Sequence, residues 1–293
     1  MEIYKKISEF EQKVKIIFGA EMVKAKIKKI IESNLFFTKL FTLHRNNFFE
    51  GKVAMYGMGI RNNRIKLSEN CSIRCGKECN IQDNRIYVQG DRNSIEIGNN
   101  VEFLGNEKIA SILISGNNNS VVIEDNCKFQ NVQFFVQGDN NKIYNHRNCS
   151  VVYADFHIES DSVKKQNTIE IFDETTIHGR NEKKVEIFLD EGTNVIIGSD
   201  CMLSNNILIR TTDSHSIVDN RGVRINPAKD VIIGNHCWLG ANVTVLKGVT
   251  ISEKNVIAAG SICTKSFTNS NTIIAGSPAK VVKEEVDWCR KQL

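Results

Sequence analysis

Between Ile233 and Cys263 the chain places an apolar residue at every sixth position: Ile233, Leu239, Val245, Ile251, Ile257 and Cys263. Four positions after each of the first five stand Cys237, Val243, Val249, Asn255 and Ser261, a second and smaller series in the same register. A helix would repeat every 3.6 residues and a half-buried strand every two, so neither carries this pattern. A chain that turns a corner at every sixth position and returns over itself after three such sides does carry it, with parallel strands stacked about 4.8 Å apart. The expected fold class is mainly β: a three-sided parallel solenoid whose core is a set of columns of like residues.

Upstream the repeat is looser. Tyr87–Ile97, Leu113–Ile123 and Phe135–Ile143 resemble one another, and their glycines Gly90, Gly116 and Gly138 recur at a spacing that suits one solenoid turn. From Arg61 to Ser150 one position in five is Asn. Asn tolerates the left-handed backbone that tight corners need. Three parts are expected: a helical N-terminal segment over 1–50, the solenoid over 51–275, and a C-terminal cap with a short helix over 276–293. At roughly 20 residues per turn, 52–275 makes about 11 coils.

The first segment carries Ile3, Ile7, Phe10, Val14, Ile17, Ile27 and Ile30 at helical spacing, with Lys13, Lys24 and Lys28 on the other side. It holds ten Lys or Arg against six Asp or Glu, and the remaining residues hold 28 of each sign. Two readings stay open: a helix packed on a neighbour, or a helix that contacts a partner or a membrane surface, with Phe36, Phe37 and Phe41 following it. The main body has no basic stripe with interleaved aromatics, which excludes a nucleic-acid surface. No apolar run is long enough to span a membrane. Met1–Lys6 lacks the order of a secretory signal. The nine cysteines form no Cys-x-x-Cys pair and no zinc spacing. They are expected as reduced thiols in a cytoplasmic protein, peripheral to the inner membrane face if the first segment docks there. Cys71, Cys127, Cys149, Cys201 and Cys237 each close a short turn and are expected to point inward as small apolar residues. No metal is expected, and His146, His157, His178 and His236 are read as structural or solvent-facing.

The period breaks once. Ile197, Leu203 and Ile209 are six apart, the register is lost over about 210–230, and it resumes at Ile233. The interruption contains Thr211-Thr212-Asp213-Ser214-His215, then Arg221, Gly222, Arg224 and Pro227. A polar loop leaving a rigid scaffold is a natural place for a site. A neutral imidazole at its root is suited to take a proton from a hydroxyl as that hydroxyl attacks. The alternative is a histidine that only caps the loop. Asp213 either orients the imidazole, contacts substrate or caps a turn. Trp238 precedes an inward Leu239 and so points outward, where an uncovered indole is costly.

The stretch 195–288, and above all Asp213-Ser214-His215, Asp230 through Gly240, and Ile274-Ala275-Gly276-Ser277-Pro278-Ala279-Lys280, resembles the hexapeptide-repeat acyltransferases. Within that family it looks most like the bacterial O-acetyltransferases of capsular sialic-acid polymers. The resemblance implies a left-handed parallel β-helix, a homotrimer with its site between subunits, and acetyl-CoA as donor. It implies a sugar hydroxyl in a bacterial surface polysaccharide as acceptor. It maps the catalytic base onto His215 and a cleft Trp onto Trp238. Acceptor contacts fall on Asn206, Asp213 and Arg224, and coenzyme A contacts on Gly240, Ala241, Ala259, Thr264, Lys265 and Lys280. Three rivals share parts of the pattern: an N-acetyltransferase of an amino-sugar nucleotide, a small-sugar O-acetyltransferase, and a non-enzymatic structural or binding solenoid.

Overall fold

The computed structural model describes residues 46–55, 59–106, 108–160 and 166–291. The helix expected over 3–33 lies outside the described residues. From Phe48 onward the chain winds through three sheets in rotation. The first has ten strands, from Phe48–Glu50 to Ile262–Cys263. The second has nine, from Lys52–Met55 to Thr250–Ile251. The third has ten, from Asn80–Gln82 to Ile273–Gly276 and a closing strand Ala279–Lys283. Among the described residues every pairing between these strands is parallel except the last, where Ala279–Lys283 folds back antiparallel on Ile273–Gly276. This is a parallel β-solenoid of about nine turns.

The strict repeat has the expected geometry. Ile233 pairs with Ile251, Leu239 with Ile257 and Val245 with Cys263, each partner three hexapeptides further on. All six are buried, as are Cys237, Val243, Val249, Asn255 and Ser261. The coils number fewer than expected because the upstream ones are longer. Ile86 pairs with Ile112, and Phe156 with Ile187, so the chain between partners well exceeds a strict turn. Longer coils enclose more space, and phenylalanines fill it. Phe103, Phe129, Phe134 and Phe156 are buried, with ring centroids 5.1–6.3 Å apart.

Asparagine has two uses here. Asn100, Asn118, Asn126, Asn140 and Asn148 are among the corner residues with φ between 52° and 63°. Asn93, Asn119, Asn141 and Asn167 instead point inward and form a buried ladder. Each rung accepts from the next, as in Asn119 Nδ2 to Asn93 at 3.1 Å and Asn167 Nδ2 to Asn141 at 2.9 Å. Gly90, Gly116 and Gly138 stack at one bend with φ of 108°, 135° and 97°. A Cβ on Gly90 would lie 1.9 Å from the carbonyl oxygen of Gly116, so only glycine lets these coils approach.

The cysteines pack as expected, and they also bond. Eight of the nine are buried, and all are free thiols. Cys79, Cys127, Cys149, Cys201 and Cys237 share one corner column with Val101, Thr175 and Asn255. Sulfurs in it donate to a carbonyl of the next coil: Cys127 to His146 at 2.9 Å, Cys149 to Phe172 at 3.2 Å, Cys201 to Gly234 at 3.2 Å. Thr175 does the same to Gly198 at 2.7 Å. The neighbouring Cys127 together with burial pushes the Cys149 thiol up, and Cys237 together with burial does so for Cys201. Burial alone raises Cys263 to about 11. The three raised thiols are inert.

The helix expected at the C-terminus is not formed over the described residues 284–291. The end of the third sheet is covered by the hairpin strand instead, and the chain then runs as an extended strap. Its side chains are held by separate coils of the solenoid, and such tertiary anchors override helical preference. Among the described residues no helix is long and apolar enough to cross a membrane.

One inward column of the second sheet reads Cys75, Ile97, Ile123, Asn145, Ile171, Ile197, Ile233, Ile251. Asn145 is fully buried, and neither its Nδ2 nor its Oδ1 has a hydrogen-bond partner. An unpaired amide in an apolar column costs about 1–3 kcal/mol. Asn145→Val is expected to raise stability by about that amount, read as a higher urea midpoint; an unchanged or lower midpoint contradicts it.

Candidate active site

The insertion starts after strand Ile207–Arg210 of the first sheet and returns at Val231–Ile233 of the second. Ile209 pairs with Val245, and Ile197 with Ile233, in both cases at twice the strict spacing. The loop therefore adds one full strict turn's length of chain and leaves the register untouched. That is why the columns continue unbroken on either side of it.

Buried threonines weld its root. Thr193 Oγ1 donates to Thr211 Oγ1 at 2.6 Å, and Thr212 Oγ1 donates to Glu191 at 3.2 Å. Above them Asn226, nearly buried, is the hub. Its Nδ2 donates to Asp213 at 2.7 Å and to the His215 carbonyl at 2.9 Å, and its Oδ1 accepts from the Ile217 N–H at 2.7 Å. Lys247, one coil on, pairs with Asp213 and donates to the Asn226 carbonyl at 3.0 Å. Lys247 and then Asn226 hold the Asp213 carboxyl below its usual range. Arg224 forms a two-pronged pair with Glu191 at 2.8 and 2.6 Å. That pair, with help from the Ala228 N–H and Thr212, keeps Glu191 ionised below its usual range.

His215 sits in this frame with its main chain fixed on both sides. Its N–H donates to the Asp213 carbonyl at 2.8 Å, and its own carbonyl accepts from Asn226. The side chain is exposed. The frame has a use for each of the other expected residues of the loop. Asp213 faces Lys247 and Asn226, and Arg224 braces the loop against Glu191. Glu191, Asn226 and Lys247 do not stand out in the sequence, because pairing a loop with one earlier coil and one later coil needs the solenoid register to be known first. Beyond the root the loop forms a hairpin. Asp219 Oδ1 accepts from the N–H groups of Arg221 and Val223, Gly222 takes φ 78°, and Val218 bridges Arg224. Ile217, Val218, Val223 and Ile225 on this hairpin are 53–59% exposed.

The other expected residues fall at two corners and on one face. Asn206, Gly240, Ala241 and Ala259 follow strands of the third sheet and stand at its corner with the first. Asn206 Nδ2 donates to Asn242 at 2.7 Å, and a Cβ on Gly240 would lie 2.8 Å from the Ala259 nitrogen. The Gly240 N–H is already given to Ile257 at 2.8 Å. Thr264 and Lys265 follow the last strand of the first sheet, at the corner where the insertion leaves, with Lys265 one turn beyond Lys247. Both are exposed, and so is Lys280 on the closing strand. Trp238 opens its strand on the third sheet and is 38% exposed, as its outward position required. Within one chain, His215 and Trp238 thus stand on different sides of the solenoid.

Of the four other histidines among the described residues, His157 stacks on Phe188 with ring centroids 4.6 Å apart, and burial pushes its pKa down. Coiling brings His146, Glu124 and Asp173 close, with ligand atoms within 4.8 Å of one another, a grouping that spacing along the chain does not reveal. His146 there is paired with Glu170 at 3.0 Å. His236 is the centre of a clasp. Its Nδ1 meets Asp200 at 2.6 Å, its Nε2 meets Asp287 at 3.2 Å, and its ring stacks on Trp288 at 4.4 Å. Burial pushes its pKa down, but Asp200, the Trp288 carbonyl and Asp287 outweigh that and leave it raised.

No family model matches the chain. Among curated proteins it is 38% identical over 204 residues to a polysialic acid O-acetyltransferase of Neisseria meningitidis, covering 69% of this chain and 88% of the relative. This chain belongs to the hexapeptide-repeat acetyltransferases, alongside the polysialic acid O-acetyltransferases. A polysialic acid O-acetyltransferase of Escherichia coli O1:K1 / APEC is 39% identical over 98 residues, which is 33% of this chain and 32% of that protein. The crystal structure of the polySia-specific acetyltransferase NeuO superposes with a TM-score of 0.51 at 29% identity, over 83% of this chain and 90% of that one. The protein is an acyltransferase.

The clasp of this acetyltransferase is a pH-dependent contact. A raised His236 contributes stability that is fully present below the free-histidine pKa of about 6.5 and is lost as pH rises through its folded value. Asp200 is the opposite case. Burial pushes it up, but His236 and Arg290 outweigh that and leave it lowered, so its share is lost only as pH falls through its folded value. Hydrogen exchange of residues 284–291, corrected for intrinsic rate, is expected to show greatest protection near pH 6 and progressive loss toward pH 8.5. Equal protection at both values contradicts the clasp.

Proposed function

We propose that this acyltransferase moves an acetyl group from acetyl-CoA to a sugar hydroxyl of a bacterial surface polysaccharide, with His215 as general base. One observation carries the reading. The insertion has the length of one strict turn, and its buried bracing is directed at fixing the backbone of Asp213-Ser214-His215. A loop that served only as a connection needs no such frame. The relatives named above are O-acetyltransferases of a sialic-acid polymer, which supports a glycan acceptor of that kind.

In this reading the imidazole of His215 removes the proton of the sugar hydroxyl as its oxygen attacks the thioester carbon. The C–S bond breaks, and the thiolate leaves with the proton that His215 returns. Base catalysis of this kind contributes about 10²–10⁴-fold. Lys247 neutralises Asp213, so the carboxylate fixes the loop without drawing the imidazole proton to itself. With the Gly240 N–H already bonded within the sheet, Ala241 is the remaining backbone donor for the developing oxyanion. Ala241 and Ala259 are small residues one turn apart, which suits the close passage of a pantetheine arm. Lys265 and Lys280 are exposed cations suited to its phosphates.

The two corners and Trp238 do not converge within one chain. They converge if copies assemble side by side, as in the trimers of the family, with the same left-handed winding. The four exposed apolar residues of the hairpin support that assembly, since such a patch is costly when open to water.

His215→Ala is expected to lower turnover at least a hundredfold while circular dichroism and assembly stay unchanged. The assay follows acetyl-CoA consumption and mass spectrometry of glycan products, with alkali release separating ester from amide. Near-normal turnover rejects the base, and acetyl found only on nitrogen rejects the hydroxyl acceptor.

A further inference from the structure

The strap after the closing strand does not fray. It runs back along the corner between the second and third sheets. Val286 exchanges hydrogen bonds with Asn271, its N–H donating at 2.9 Å and its carbonyl accepting from Asn271 Nδ2 at 3.1 Å. Trp288 then lies flat on His236, with interplanar angle 12°, and its Nε1 donates to the His236 carbonyl at 2.9 Å. Arg290 reaches further. It donates to Asp200 at 2.9 Å, to Thr176 Oγ1 at 2.8 Å, and to the carbonyls of Cys201 and Glu174 at 3.0 and 3.2 Å. Its guanidinium also lies 5.6 Å from the Trp288 ring centroid. Trp288 is thus only 8% exposed, although it stands close to the end of the sequence.

The other edge of that indole faces Trp238. Their ring centroids are 6.0 Å apart and tilted by 49°. Along its own sheet Trp238 is flanked by Met202 and Val256. A tryptophan on an open β-surface has several staggered rotamers available. Here Met202 and Val256 bound it along the sheet, and Trp288 bounds it on the corner side. Trp288 itself is held by His236, on which it stacks, and by Arg290, which is anchored on Asp200 and Thr176.

We propose that Trp288 is a positioning residue that holds Trp238 in one orientation, so that the C-terminal strap is a structural wall of the acyl-transfer cleft. The inference rests on the reading above that Trp238 lines that cleft. A tilted aromatic pair of this kind corresponds to a population ratio of about 2 to 12 in favour of the held rotamer.

The chain has two tryptophans, so removing Trp288 leaves Trp238 as its sole tryptophan, read by excitation beyond the tyrosine band. In the full-length protein, Trp288→Leu is expected to give Trp238 an additional emission lifetime and greater acrylamide quenching. It is also expected to lower kcat/KM for the glycan by about 2- to 12-fold, mainly through KM. Trp288→Phe is expected to restore the single-rotamer emission and most of the kcat/KM. If Trp288→Leu does not fold, Arg290→Ala in the Trp288→Phe background unpins the strap that carries the ring, and the same change in Trp238 emission is expected relative to Trp288→Phe alone. Identical Trp238 lifetimes and quenching with and without the aromatic partner overturn the proposal. So does a loss of activity that Phe does not rescue. A wild-type protein that acetylates no glycan would instead sink the catalytic reading, and the emission of Trp238 would still decide the positioning.

Discussion

The structure depends on one constraint: every inward side chain must stack on an equivalent one in the next coil, at the spacing set by backbone hydrogen bonds between parallel strands. The stacking is chemical as well as steric. Aliphatics lie on aliphatics, Asn93 to Asn167 form a ladder, and Cys, Thr and Asn recur in the corner column because each can donate to the next coil's carbonyl. A residue that breaks its column, such as Asn145 among isoleucines, stands unpaired because no lateral neighbour exists to satisfy it. Coil width is free to vary so long as the filler varies with it, which is why the long upstream coils carry the phenylalanines.

The same constraint explains where chemistry is allowed. A side chain inside the columns is fixed by its neighbours and unavailable. A corner can open outward without disturbing the stack, provided the chain comes back in register. The insertion does so by adding the length of one strict turn. Its own order comes from a small polar network in which Asn226 joins Asp213, the His215 carbonyl and the Ile217 N–H, while Lys247 and Glu191 tie it to coils on either side. The loop takes its order from the scaffold it leaves.

The period of six is legible because the strict coils use the shortest possible turn, so one column type recurs at fixed spacing. The inward Cys237 and the outward Trp238 follow from that register, and the other turn-closing cysteines follow by analogy. Upstream, the turn length varies from coil to coil, as the pairings of Arg64 with Arg85 and of Phe156 with Ile187 show. That variation hides the same architecture and leads to too high a count of coils. The Asn ladder is hidden behind the Asn corners, since one residue type serves both. His215 stands out through its place at the break. Its supports, Glu191, Asn226 and Lys247, are ordinary polar residues whose meaning is purely three-dimensional. The C-terminal strap reads as a helix in the sequence because its anchors lie on coils far back in the chain, as far as Glu174 for Arg290.

Stacked-coil proteins come apart from their ends, since a terminal coil has a neighbour on one side only. Here the last stretch of chain is stitched at Asn271, at His236 and again at Asp200 and Thr176. Peeling the final coil away therefore means first pulling out the seam that crosses its predecessors. The terminus behaves as a lashing, and unwinding from that end must begin several layers deep, beside the exposed indole of Trp238.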